Sequence, residues 1–128
     1  TESNLEGCDL SRADLTEAIL QRANMKNAFL IGANLQKAEL DKVNLENANI
    51  AGAKLRKANC QKANMKNADL QRSDLEHADF TQADLSKASL AGSKLGEACF
   101  KNANLTGADL SLSDKTDSDF SGAKGYNS

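Results

Sequence analysis

A chain of 128 residues is one domain's length, and its apolar content of 40% includes only 4% aromatic residues, with no Trp and no Pro. Leu and Ala must therefore fill the interior, which suits a thin core better than a thick globule. The net charge of −2, from 16 basic and 18 acidic residues, offers no general attraction to nucleic acid or to an anionic membrane. It is also far from the strongly acidic balance of a nucleic-acid mimic.

The first residues set a register that runs almost to the last. From Leu5 onward, 23 of the 25 positions that are multiples of five are apolar, with Lys115 and Gly125 as the exceptions. Two residues before each centre, 18 of 25 are Ala, and the others are Ser, Cys or Val. Asn or Asp usually stands between the two, as at Asn24, Asn34, Asp69 and Asp84. The remaining two positions are mostly polar, charged or Gly. A helix cannot use this pattern, because positions five apart fall about 140° out of phase and spiral round its axis.

Two inward positions separated by an outward one fit a short extended segment. The next two residues must turn a corner. Turn formers stand there: Gly7, Gly32, Gly52, Gly92, Gly107 and Gly122, with Asn27, Asn47, Asn67 and Asn102. A short side plus a corner, repeated, closes a coil. The expectation is an all-β solenoid with a square section, 20 residues per turn and about six coils. It forms one domain over residues 1–128, regular over about 3–123 and disturbed near 115, with a short C-terminal tail at 124–128.

The units Ala13-Asp14-Leu15, Ala33-Asn34-Leu35, Ala83-Asp84-Leu85 and Ala103-Asn104-Leu105 resemble the A-[DN]-L-x-x motif of pentapeptide-repeat proteins. The resemblance covers about Ser3 to Ala123. It implies a right-handed quadrilateral β-helix and no shared catalytic residues. Members of that family include inhibitors of DNA gyrase, proteins of unknown role, and repeat domains attached to other modules.

With 20 residues per coil, residues 20 apart stack at about 4.8 Å. Glu6, Lys26, Glu46 and Lys66 then alternate in sign down one column, as do Asp14, Asn34, Lys54, Asp74, Lys94 and Asp114, and Arg56 lies beneath Glu76. This is what a solvated wall selects. The columns Asn4, Asn24, Asn44, Asn64 and Asn27, Asn47, Asn67 are expected to form amide ladders. Two features depart from that plain surface. Arg22, Lys42 and Lys62 stack, and beside them Lys37 and Lys57, a basic patch suited to an acidic protein surface or a phosphate group. Without interleaved aromatic residues it gives bases no platform for stacking. Phe29 and Ile31 form a small outward apolar patch above Ala51, and Ile19 breaks the pattern on another face.

Inside, Phe80, Phe100 and Phe120 share a column below Leu20, Leu40 and Cys60. No enzyme emerges. His77, the single His, sits at a solvated corner, and no phosphate loop or nucleophile motif is present. Asp69, Asp74, Asp79 and Asp84 fall on four different walls. The segment Asp114–Asp119 lacks the Gly and distal Glu of a Ca²⁺ loop, and Cys8, Cys60 and Cys99 are odd in number without metal-like spacing. No catalytic, metal or cofactor site is expected.

The three thiols read as reduced and structural, which favours an intracellular, cytoplasmic home. No apolar run reaches the length of a bilayer and no secretory signal is present. The chain begins at Thr1, in keeping with an excised domain or a processed form. Open sheet edges at the ends call for further chain or for self-association, and a homodimer through a solenoid end is one expectation. Lys115 at a central position should reach solvent only where its coil frays. The functional expectation is a non-catalytic scaffold for an unidentified protein partner, engaging neither nucleic acid nor membrane. Its candidate surface is Arg22, Lys37, Lys42, Lys57, Lys62, Phe29 and Ile31. The alternative is a DNA-mimic inhibitor of a DNA-binding enzyme such as gyrase, which needs a continuous acidic stripe.

Overall fold

The computed structural model describes residues 2–126. Every five residues the chain makes one extended position and one two-residue turn. Each outward residue forms a parallel bridge with the residue 20 further on, from Asn4↔Asn24 to Asn104↔Lys124. Four turns per 20-residue return make a four-sided coil. The bridges are isolated, because each side is too short to form a longer strand.

The backbone accounting shows why five residues suffice. In the unit Ala53 to Lys57, Leu55 N–H donates to Asp74 O at 2.7 Å and Lys57 N–H to Glu76 O at 3.1 Å. Asp74 N–H returns the bond to Ala53 O at 3.0 Å, and Ala58 N–H closes the turn on Leu55 O at 2.9 Å. One amide per unit, that of the first corner residue, has no backbone acceptor in this scheme. The Asn or Asp two residues earlier supplies one: Glu46 N–H donates to Asn44 Oδ1 at 3.1 Å and Gln71 N–H to Asp69 Oδ1 at 3.0 Å. A buried or half-buried amide left unpaired is costly, so the outward Asn/Asp position serves the backbone first.

This corrects the amide-ladder expectation. Among the described residues, one rung joins Asn24 Nδ2 to Asn4 Oδ1, at 3.4 Å, while Asn24, Asn44 and Asn64 all turn Oδ1 onto a backbone amide. Asn27, Asn47 and Asn67 do not form a ladder either; they hold φ near +60°. So does every second corner residue from Gly7 to Gly122, eighteen of them not glycine. The left-handed conformation costs an L-residue roughly 1–2 kcal/mol, yet this closure of the square requires it at each corner.

The core is one column set along the axis. Ala23 to Leu105 are buried at the inward positions, whereas Leu5, Leu10, Leu15 and Leu20 of the first coil and Leu110 and Phe120 of the last are only partly covered. Ser73 and Ser93 replace Ala at buried positions and are satisfied by donating to Ile50 O and Leu70 O. Phe80, Phe100 and Phe120 stack with centroids 5.0 Å apart at each step.

The last coil does not fray at Lys115. Lys94 still bridges Asp114, and Glu97 N–H still reaches Thr116 O at 2.9 Å. Lys115 is exposed because no further coil of the described residues stacks on that one, so an inward position there is open to water. Gly125, the other exception, reverses the chain with φ +78°; a Cβ there would lie 2.6 Å from Thr106 Cα. The reversal lays Tyr126 on Phe120, centroids 3.9 Å apart and planes within 6°. Tyr126 thus covers part of the open end, which the periodic reading missed; Asn127 and Ser128 of the expected tail lie outside the described residues.

Candidate functional site

The outward columns define four walls. Going round the coil, they carry Asn24, Asn44 and Asn64; then Phe29, Asn49 and Asp69; then Asn34, Lys54 and Asp74; then Glu39, Asn59 and Asp79. Asp69, Asp74, Asp79 and Asp84 accordingly fall one to a wall.

The bridge register brings the five basic residues together. All five are second corner residues, exposed, with φ of 59–61°. Lys37 and Lys57 stand on the corner entering the Asn59 wall, and Arg22, Lys42 and Lys62 on the corner leaving it. They therefore frame one flat face. The same face carries Glu39 and Asp41, which offset part of the charge, and Ile19 at 66% exposure. One oxygen of Asp41 (Oδ1) is enclosed with no hydrogen-bond partner among the described residues. Further along the entering corner the sign reverses, through His77 to Glu97 and Asp117. His77 is not merely solvated: Nε2 lies 2.9 Å from Glu97 Oε2.

Phe29 and Ile31 do not join the basic patch. The Phe29 wall is opposite the Asn59 wall, so the two candidate surfaces face away from each other. Phe29 is 46% exposed and Ile31 43%. Leu112, at 94% exposure, lies on the corner column leaving the Phe29 wall, with Arg12, Gly32, Gly52, Arg72 and Gly92. Sequence reasoning passed over it; the signal was an apolar residue at a second-corner position, a class otherwise polar, charged or Gly.

Arg56 does what its column implies, meeting Glu76 at 2.7 Å and Asp74 at 3.8 Å. These groups are part-exposed and worth a few tenths of a kcal/mol. Cys60 is sealed in the core, and burial pushes its thiol far above the ordinary range, with Asp79 and Asp41 adding to the effect. That thiol is inert. Recesses exist but are shallow: one of about 340 Å³ lies at the C-terminal end among Ala108, Leu110, Lys115 and Tyr126. Among the described residues no group of His, Cys, Asp and Glu could hold a metal ion, and no helix is long and apolar enough to cross a membrane.

A solenoid of five-residue sides with Ala and Leu inward and Asx caps outward defines a class, and the sequence profile of pentapeptide repeats matches this chain in eight copies over residues 1–36, 30–59, 63–102 and 98–124. The chain belongs to the pentapeptide repeat family. Among solved structures it is similar to HetL, a pentapeptide repeat protein involved in heterocyst differentiation regulation from the cyanobacterium Nostoc sp. strain PCC 7120. The two are 30% identical over 98% of this chain and 65% of HetL, with a TM-score of 0.65. It is also similar to AT2G44920, a pentapeptide repeat protein of the Arabidopsis thaliana thylakoid lumen, at 27% identity over 80% of this chain and 68% of that one, TM-score 0.61. The likeness to QnrB1, a plasmid-mediated fluoroquinolone resistance protein, is one of fold: 17% identity over 95% of this chain and 72% of that one, TM-score 0.50. No curated protein matches the sequence.

Proposed function

We propose that the chain is a non-catalytic interaction scaffold, a right-handed solenoid of about six coils over residues 3–123 that docks an acidic protein surface along the Asn59 wall. The observation that carries this reading is the framing of one flat face by Arg22, Lys42 and Lys62 on one corner and Lys37 and Lys57 on the other. Stacked like charges cost stability unless an anionic partner relieves them, and coils 4.8 Å apart hold them at a spacing that a partner's carboxylates can match. Phe29 and Ile31 are the second interaction surface. The half-covered Leu5, Leu10, Leu15 and Leu20 mark the end at which a second copy would join end to end.

The three free thiols favour a reducing, intracellular compartment. Inhibition of a DNA-binding enzyme such as gyrase by mimicry of DNA is the weaker reading, because the basic corners interrupt any acidic stripe. The test is affinity capture with the wild-type chain and with a triple variant, Arg22→Glu, Lys42→Glu, Lys62→Glu, after circular dichroism shows both folded. A partner held by the wild type and released by the variant supports the reading. A partner held equally by both overturns it.

A further inference from the structure

Among the described residues, three of the four large apolar side chains that stand in water, Phe29, Ile31 and Leu112, belong to one edge of the square. Two of them also cost the backbone something. Phe29 occupies a position where Asn or Asp would cap the amide two residues on, so Ile31 N–H receives no such acceptor. Leu112 is the one apolar residue among the described non-glycine residues at positive φ, with φ +58°. Between them the edge is worn flat by Gly32, Ala51, Gly52, Ala91 and Gly92.

The spacing is symmetric. Gly32, beside Phe29 and Ile31, lies two coils before Arg72, and Leu112 lies two coils after it, about 10 Å either way. A two-fold axis at the level of Arg72, perpendicular to the solenoid, would set Leu112 of each copy over Gly32, Phe29 and Ile31 of the other. Gly52 would meet Gly92, and Ala51 would meet Ala91, which lets the backbones approach. At the axis Arg72 faces its own twin, but Asp69 of the opposite copy stands at the same level. Its Oδ1 caps Gln71 N–H at 3.0 Å, leaving Oδ2 to accept from the guanidinium. A recess of about 260 Å³ bounded by Gln71, Arg72, Ala91, Gly92 and Leu112 gives the crossing side chains room.

We propose that this edge is a self-association surface, on which two copies pack side by side and antiparallel. The inference rests on the reading of Phe29 and Ile31 as an interaction surface and names its partner as a second copy of this chain. The contact is isologous. It is also narrow, so association should be weak and concentration-dependent, unlike an obligate interface.

Sedimentation equilibrium of the wild type over a wide concentration range gives the association constant, and Leu112→Asp should lower it at least tenfold without changing the melting temperature. Orientation is read from Gln71→Cys in a background with Cys8→Ala and Cys99→Ala. Residue 71 lies near the proposed axis, so mild oxidation should link two copies covalently, and adding Leu112→Asp should abolish the link. A wild type that stays monomeric at every concentration overturns the proposal. So does association that Leu112→Asp leaves unchanged, or that yields no link through position 71, as an end-to-end dimer would. None of these outcomes touches the basic face, which stands or falls by the triple charge reversal.

Discussion

Tyr126 lies on Phe120 at a centroid distance of 3.9 Å, extending by one ring the aromatic column that begins at Phe80. The contact depends on Gly125, whose backbone passes so close to Thr106 that no Cβ fits. Gly125→Ala should therefore release the tail. Tyr126 is the single tyrosine, in a chain without Trp. Its near-ultraviolet circular dichroism should collapse in Gly125→Ala, and Tyr126→Ala should cost roughly 1–2 kcal/mol of stability, judged from the burial and stacking of one ring. A Gly125→Ala variant with an unchanged tyrosine signal would refute the cap.

Asx capping makes a sharper distinction than polarity alone. Asn49 Oδ1 accepts Ala51 N–H at 3.2 Å. Asn49→Asp keeps that acceptor, and chemical denaturation should find it within about 0.5 kcal/mol of wild type. Asn49→Ala removes it and should cost about 1 kcal/mol. Equal stabilities for the two variants would mean that the outward position is merely solvated.

In the core, Leu55 and Ala58 are sealed. Leu55→Asp and Ala58→Glu each place a charge where no partner waits, which costs several kcal/mol even after the carboxyl neutralises. Thermal melts of both should lack the cooperative transition. A melting temperature equal to wild type in either would sink the packing described above.

Acid should loosen the walls from a definite point. Hydrogen bonds from Thr16, first its hydroxyl and then its amide, hold the Asp14 carboxyl below the ordinary 3.8, and Ser111, Thr116 and Ser121 do the same for Asp109, Asp114 and Asp119. A carboxyl whose folded pKa is depressed contributes stability that is fully present above its unfolded value and is lost as pH falls through the folded one. The melting temperature should thus hold from pH 7 to about 5 on this account and decline below about 4. Thr16→Ala should raise the Asp14 midpoint in a carbon-detected NMR titration, and an unmoved midpoint would remove the hydroxyl from the explanation.

Much of this molecule is legible before any coordinates. Period five with a 20-residue return follows from the inward pair and the corner residues, and Arg56 over Glu76 follows from the return. What escaped has physical reasons. A column reading treats Asn24 and Asn44 as neighbours and so finds a ladder, whereas the backbone amide two residues on is the nearer and needier donor. Tyr126 is out of register, and only the glycine at a central position hinted that the chain turns back there. The basic and apolar patches read as columns, without a direction assigned to either. Counting corners, rather than coils, was needed to see that Phe29 and Lys42 look in opposite directions.

The three interstrand hydrogen bonds on each side are the same from coil to coil, so the backbone carries no record of which coil is which. Deleting or duplicating 20 residues would leave every column in place and change only the length. Inserting a single five-residue unit is different: the inward Ala and Leu would still find inward slots, but every side chain downstream would be carried a quarter-turn round the axis. The chain can thus re-aim half of its surface without rebuilding its interior, and the phase of a small insertion, more than its content, decides which faces remain continuous.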